Sequence, residues 1–86
     1  MRVVHVKFMP KKKEPDIIYI SKDYGVSIHL CPCECGNEVV IPFREVGIYN
    51  WTLKEDKGRV SFSPSILNRF KCKSHYFIQD NEVVWC

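Results

Sequence analysis

Three thiols stand at alternate positions in the stretch His29-Leu30-Cys31-Pro32-Cys33-Glu34-Cys35-Gly36, and a fourth, Cys72, lies in Lys71-Cys72-Lys73-Ser74-His75. Thiolates are soft ligands that suit zinc, and a structural zinc site takes four of them or a mixture with imidazole. Cys31, Cys33 and Cys35 cannot close a tetrahedral shell alone. Cys72 completes a Cys₄ set; a shell of Cys72, His75 and two of the clustered cysteines is also chemically sound. Cys86, at the end of an apolar run, fits packing better than ligation. Reduced, buried thiols are the bland alternative, but Pro32, Glu34, Gly36 and Asn37 spell a turn rather than a core. Structural zinc contributes about 10–16 kcal/mol apparent in small peptides, more than a core this small is expected to supply alone.

A second set of reactive types lies nearby. The run Ser61-Phe62-Ser63-Pro64-Ser65-Ile66 offers hydroxyls, and His29 and His75 flank the cysteines. Ser63 followed by Pro64 predicts the cap and first position of a short helix over 63–70. Ser65 would then sit in the first turn, beside free backbone N–H groups able to stabilise an oxyanion. A histidine within hydrogen-bond reach would accept its proton. On residue types alone the structural reading outweighs this one: serines near helix starts cap, and histidines beside cysteines ligate or pack.

The elements that must position these groups read as strands. Residues 2–8, 16–21, 26–31, 37–43, 50–55, 58–63, 74–79 and 82–86 are β-branched and aromatic runs separated by turn-formers. Asp80-Asn81 predicts a two-residue hairpin turn, because both types tolerate positive φ. Residues 48–58, with Tyr49 and Trp51, read as a longer excursion, either a partner-binding loop or a charged hairpin. The expected fold is mostly β: one small domain over residues 1–86, built as an antiparallel sheet or partly open barrel with a zinc knuckle and at most one short helix.

Composition narrows the class. An 86-residue chain buries only about 60–65% of its unfolded surface, so a metal is a useful staple. Net charge is +3, drawn largely from Lys11–Lys13 and followed at once by Glu14 and Asp16. One short run cannot track a phosphate backbone, and the aromatics fall at strand spacing, so nucleic-acid binding is not expected. No apolar run approaches membrane-spanning length, and the opening Met1–Pro15 lacks the apolar core and cleavage site of a secretion signal. A cytoplasmic location follows as the expectation. There thiols stay reduced, and the odd cysteine count argues the same way against a disulfide framework.

The segments YISKDYGVSIHLCPCECGNEVVIPF, VSFSPSI, CKSHYFI and VVWC together resemble a small bacterial zinc-binding family. Its pattern is an H-x-C-x-C-x-C-G segment, a serine–proline–serine segment, a Cys-x-Ser-His-aromatic segment and a terminal strand with Trp. Glu34 stands where Gly is common in that pattern, and Phe62 replaces the usual Leu. Some members are encoded beside ubiquitin-like proteins and E1- and E2-like enzymes and look like serine peptidases for the modifier. The resemblance implies a role for each matching residue. Ser65 would be the nucleophile and His75 its general base, with His29 orienting His75, lining the site or taking the base role itself. Cys31, Cys33, Cys35 and Cys72 would hold structural Zn²⁺. Asp80, Asp23 and Glu38 are the acids to consider as a third member. Two other readings compete: a zinc-dependent hydrolase using His75 and cysteine ligands, and a non-catalytic zinc module that binds a ubiquitin-like or other protein.

Overall fold

Residues 1–43, 51–68 and 71–86 are described by the computed structural model. Tyr49 and residues 69–70 of the expected helix lie outside them. Every predicted run gives a strand. In order these are β1 (Arg2–His5), β2 (Ile17–Ser21), β3 (Val26–Leu30), β4 (Glu38–Pro42), β5 (Thr52–Asp56), β6 (Arg59–Leu67), β7 (His75–Gln79) and β8 (Glu82–Trp85). They form two four-stranded sheets, β1-β2-β3-β4 and β5-β6-β7-β8, where one sheet or an open barrel was expected. Pairing is antiparallel except for β1 on β2, which is parallel.

Alternation explains the core. Val39 and Ile41 of β4, Val60, Phe62 and Ile66 of β6, and Tyr76 and Ile78 of β7 point inward at period two. They join Ile18, Ile20 and Cys31 in one buried cluster drawn from both sheets. β2 is buried at all five positions. Its outer face is tied down by the lysine-bearing segment, where the Glu14 N–H donates to the Tyr19 hydroxyl at 2.9 Å. Lys13 of that run pairs with Glu38 at 3.1 Å, while Lys11 and Lys12 stay exposed. Asp80 and Asn81 close β7 and β8 with φ of 48° and 67°, as the hairpin signal requires.

The helix expected over 63–70 does not form: β6 runs on through Leu67. Ile66 is buried opposite Tyr76, so burying the apolar face as strand outweighs the local helix-start signal. Pro64 is accommodated by an irregularity. Phe62 lies opposite Ile78 and Ile66 opposite Tyr76, so β6 carries two more residues than β7 between these pairs. A bulge is the one interior position where a residue without an N–H breaks no ladder bond.

Candidate active site and metal centre

The bulge decides where Ser65 points. Pro64 and Ser65 belong to neither the β5–β6 nor the β6–β7 register, and the Ser63–Pro64 peptide bond is cis. Leu67 pairs with His75, and Ser65, two residues before Leu67, shares its outward face. Ser65 and His75 are therefore diagonal neighbours across two central strands, a separation that an imidazole can span. Ser65 Oγ lies 2.8 Å from His75 Nε2. With Oγ–H donating, Nε2 is the acceptor and the ring proton resides on Nδ1. Ser65 is half-buried and His75 exposed. The indole N–H of Trp51 donates to the Ser65 carbonyl at 3.4 Å, holding the bulge from the β5 side.

Beyond the bulge, the outward face of the second sheet carries a shallow groove of about 440 Å³. Ser61, Ser63, Phe77 and Gln79 line it, with Lys54 and Asp80. Leu67, on the other side of the dyad, is 61% exposed.

The four cysteines converge. Cys31, Cys33 and Cys35 lie on the turn joining β3 to β4, and Cys72 on the connection from β6 to β7. Their sulfurs all fall within 4.8 Å of one another. A tetrahedral zinc with Zn–S near 2.3 Å sets its sulfurs about 3.8 Å apart; Cys31–Cys72 at 3.8 Å and Cys35–Cys72 at 3.7 Å match that, and Cys31–Cys33 at 3.3 Å is tighter. The turn is closed by the Cys31 N–H on the Asn37 carbonyl and the Glu34 N–H on the Cys31 carbonyl. Glu34 and Gly36 adopt φ of 68° and 86°.

Polar side chains surround the sulfurs, Asn37, Asn68 and, towards Cys72, Ser74 donating, while the Cys31 thiol donates to Ser74 Oγ. Asn37 Nδ2 lies 3.2 Å from Cys35, Ser74 Oγ 3.3 Å from both Cys31 and Cys72, and Asn68 Nδ2 3.7 Å from Cys31. The Ser74 hydroxyl and backbone N–H lower the Cys72 thiol to about 6, while burial pushes Cys31 up to about 12. The Asn37 backbone N–H lowers Cys35. A cation at the centre would bring all four to the thiolate form. The residues present fit a Cys₄ metal site.

His29 lies in the core, away from the bonds that the orienting or base role would need. It is fully buried on β3, with Nε2 2.6 Å from the Tyr76 hydroxyl, and burial lowers it to about 4. Its Nδ1, like Ser27 Oγ two residues along the same face, has no hydrogen-bond partner among the described residues. It is hydrogen-bonded to neither Ser65 nor His75. Of the acids considered, Glu38 is held by Lys13, and Asp80 gives its backbone N–H to Ser61 Oγ at 3.0 Å. Asp23 lines a separate cleft with His5 and Lys22.

Asn68 escaped the sequence reading, and Ser74 and Trp51 entered it only within the Cys-x-Ser-His segment and the 48–58 excursion, with no role at the site. Amide, hydroxyl and indole donors carry no signature of spacing, and only the close approach of β6, β7 and the cysteine turn reveals them.

Comparison with known proteins adds a family. No curated protein and no solved structure shows a significant match, and no helix among the described residues is long and apolar enough to cross a membrane. A family model described as bacterial ubiquitination-like system serine protease (BubE) matches residues 5–86. That match spans the cysteine turn, the bulge and the His75 strand alike, and the chain belongs to the BubE family of bacterial ubiquitination-like system serine proteases.

Proposed function

We propose that this protein is a serine peptidase that acts at the C-terminus of a ubiquitin-like protein, maturing it or releasing it from a conjugate. The observation that carries the reading is the 2.8 Å contact between Ser65 Oγ and His75 Nε2, a nucleophile within reach of its base. The family description supplies the protease class and the ubiquitin-like setting. The modifier's E1- and E2-like enzymes are the further partners this setting suggests.

Ser65 Oγ attacks the carbonyl carbon of the scissile bond as its proton passes to His75 Nε2. The imidazolium returns that proton to the leaving amine as the C–N bond breaks, leaving an acyl-serine. Water then attacks the ester, His75 again takes the proton, and Ser65 is regenerated. Pro64 has no N–H, so the bulge offers the Ser65 N–H, outside the regular register of both neighbouring strands, to stabilise the oxyanion in place of the helix start expected there. The exposed His75 leaves its Nδ1–H to solvent. Cys31, Cys33, Cys35 and Cys72 would hold a structural Zn²⁺, which with four thiolates is coordinatively closed and supplies rigidity rather than an open site.

The zinc-hydrolase reading is weaker because His75 is engaged by Ser65 and the thiols already number four. Ser65→Ala separates the two. It is expected to abolish labelling by a fluorophosphonate and to cut cleavage of a ubiquitin-like precursor by about 10⁴-fold or more. His75→Gln is expected to fall comparably, because the two act as a unit. Retained cleavage in Ser65→Ala would overturn the proposal in favour of metal chemistry.

A further inference from the structure

Two buried polar side chains beside the dyad take no part in the chemistry above. Asn68, 7% exposed, follows Leu67 at the end of β6, and Tyr76, fully buried, follows His75 on β7. The Asn68 backbone N–H donates to the Ser74 carbonyl at 2.9 Å, fixing the ends of the two strands against each other. Its carboxamide nitrogen lies 3.7 Å from Cys31 Sγ and 3.4 Å from the Tyr76 oxygen. The Tyr76 oxygen in turn lies 2.6 Å from His29 Nε2.

The direction of these bonds is set by proton count. An amide nitrogen has two protons and accepts none, so Asn68 donates to both Cys31 and Tyr76. The phenol accepts from Asn68 and has one proton to give; with His29 Nε2 as its acceptor, the ring proton lies on Nδ1, which has no partner among the described residues. One chain of bonds therefore runs from the cysteine turn through β6 and β7 to β3, crossing both sheets. Its members are buried, where a polar group left unpaired is costly, so each holds the next in place.

We propose that Asn68 and Tyr76 are positioning residues of the Ser65–His75 dyad: they lock β6 and β7 to the cysteine turn so that His75 Nε2 stays within reach of Ser65 Oγ. This rests on the serine-peptidase reading. Ser65 lies three residues from Asn68 and His75 directly precedes Tyr76, so a slip of either strand is transmitted to the 2.8 Å contact. A misplacement of about 1 Å costs on the order of 10²-fold in rate.

The test uses Tyr76→Phe, which keeps the ring's packing and removes only the hydroxyl, and Asn68→Ala. Expected is a 10- to 100-fold fall in kcat and in the rate of Ser65 labelling by a fluorophosphonate, with KM unchanged, in protein that is fully folded. The double variant is expected to be no slower than the worse single one, since the two act in series. Should Asn68→Ala fail to fold, Tyr76→Phe alone decides. Labelling of folded Tyr76→Phe at the wild-type rate would overturn the proposal, as would losses that multiply in the double variant. If wild-type Ser65 is neither labelled nor required for cleavage, the serine-peptidase reading fails instead. The network then stands or falls on hydrogen exchange: β7 amides are expected to exchange about tenfold faster in Tyr76→Phe, and unchanged exchange would refute the lock.

Discussion

Glu34 and Gly36 both hold left-handed backbone in the cysteine turn, with φ of 68° and 86°. That conformation costs a residue with a Cβ roughly 1–2 kcal/mol and glycine almost nothing. The resemblance that puts Gly where Glu34 stands thus has a physical reason, visible only once φ is known. A Cβ added at Gly36 would meet nothing within 4 Å, so Gly36→Ala tests backbone strain free of crowding. Gly36→Ala is expected to lower stability by about 1 kcal/mol and Glu34→Gly to raise it by up to about 1 kcal/mol, read as shifts in the urea midpoint of the metal-loaded protein. Equal midpoints for wild type and both variants would show that the turn is set by the metal and not by backbone preference. At this scale residue type singled out the cysteines, whose sulfurs converge, whereas Ser65 and His75 took their roles from the resemblance, because on residue type alone a structural reading outweighed catalysis. For His29 it left two readings, ligand or packed residue, and the ring packs in the core against Tyr76. Nothing in the sequence distinguishes a buried acceptor from a ligand two residues away.

At the scale of elements, β-branched and aromatic runs between turn-formers located all eight strands, with the half-buried β3, β4 and β7 also repeating at period two. The one failure, the helix over 63–70, was a contest between a local capping signal and the burial of Ile66. Burial prevailed, and the bulge that absorbed Pro64 is what turns Ser65 towards His75. The β7–β8 turn shows the opposite case, where local chemistry and tertiary contact agree. Asn81 has φ of 67° and also accepts the Val60 N–H on Oδ1 at 2.6 Å, while its own N–H donates to the Val60 carbonyl at 2.9 Å. The residue therefore serves twice, as turn former and as a tie from the hairpin to β6. Asn81→Ala is expected to cost about 2 kcal/mol, adding a left-handed strain to a lost hydrogen bond. Asn81→Gly keeps the backbone and is expected to lose only about 1 kcal/mol, for the bond. Denaturant midpoints measure both, and an identical loss in the two variants would remove the backbone part of the argument. Neither variant touches Ser65 or His75, so labelling of the folded fraction should be unchanged.

For the whole molecule, the cysteine cluster is where a bound ion would tie the two sheets together. Cys31, Cys33 and Cys35 belong to the first sheet's β3–β4 turn, Cys72 to the second sheet's β6–β7 connection, and Cys31 is itself part of the shared core. A metal bound by all four would close a loop of some forty residues, a constraint that weighs heavily in a chain with so little interior. It would also clamp β7 three residues before His75, so stability and the dyad would depend on the same ion without the ion touching substrate. Removing zinc with a strong chelator is therefore expected to lower the melting temperature by more than 10 °C, since the lost binding energy far exceeds the few kcal/mol by which small domains are stable. Ser65 labelling should decline in step with unfolding, and return with refolding when Zn²⁺ is restored. Cys72→Ser should reproduce the metal-free state permanently. A metal that served the chemistry directly would behave otherwise: activity would vanish on chelation while the circular-dichroism signal of the sheets stayed intact. Metal content measured alongside melting and labelling distinguishes the two courses. A metal-free protein that melts and labels like the loaded one would deny the cluster any part in holding the sheets or the dyad together.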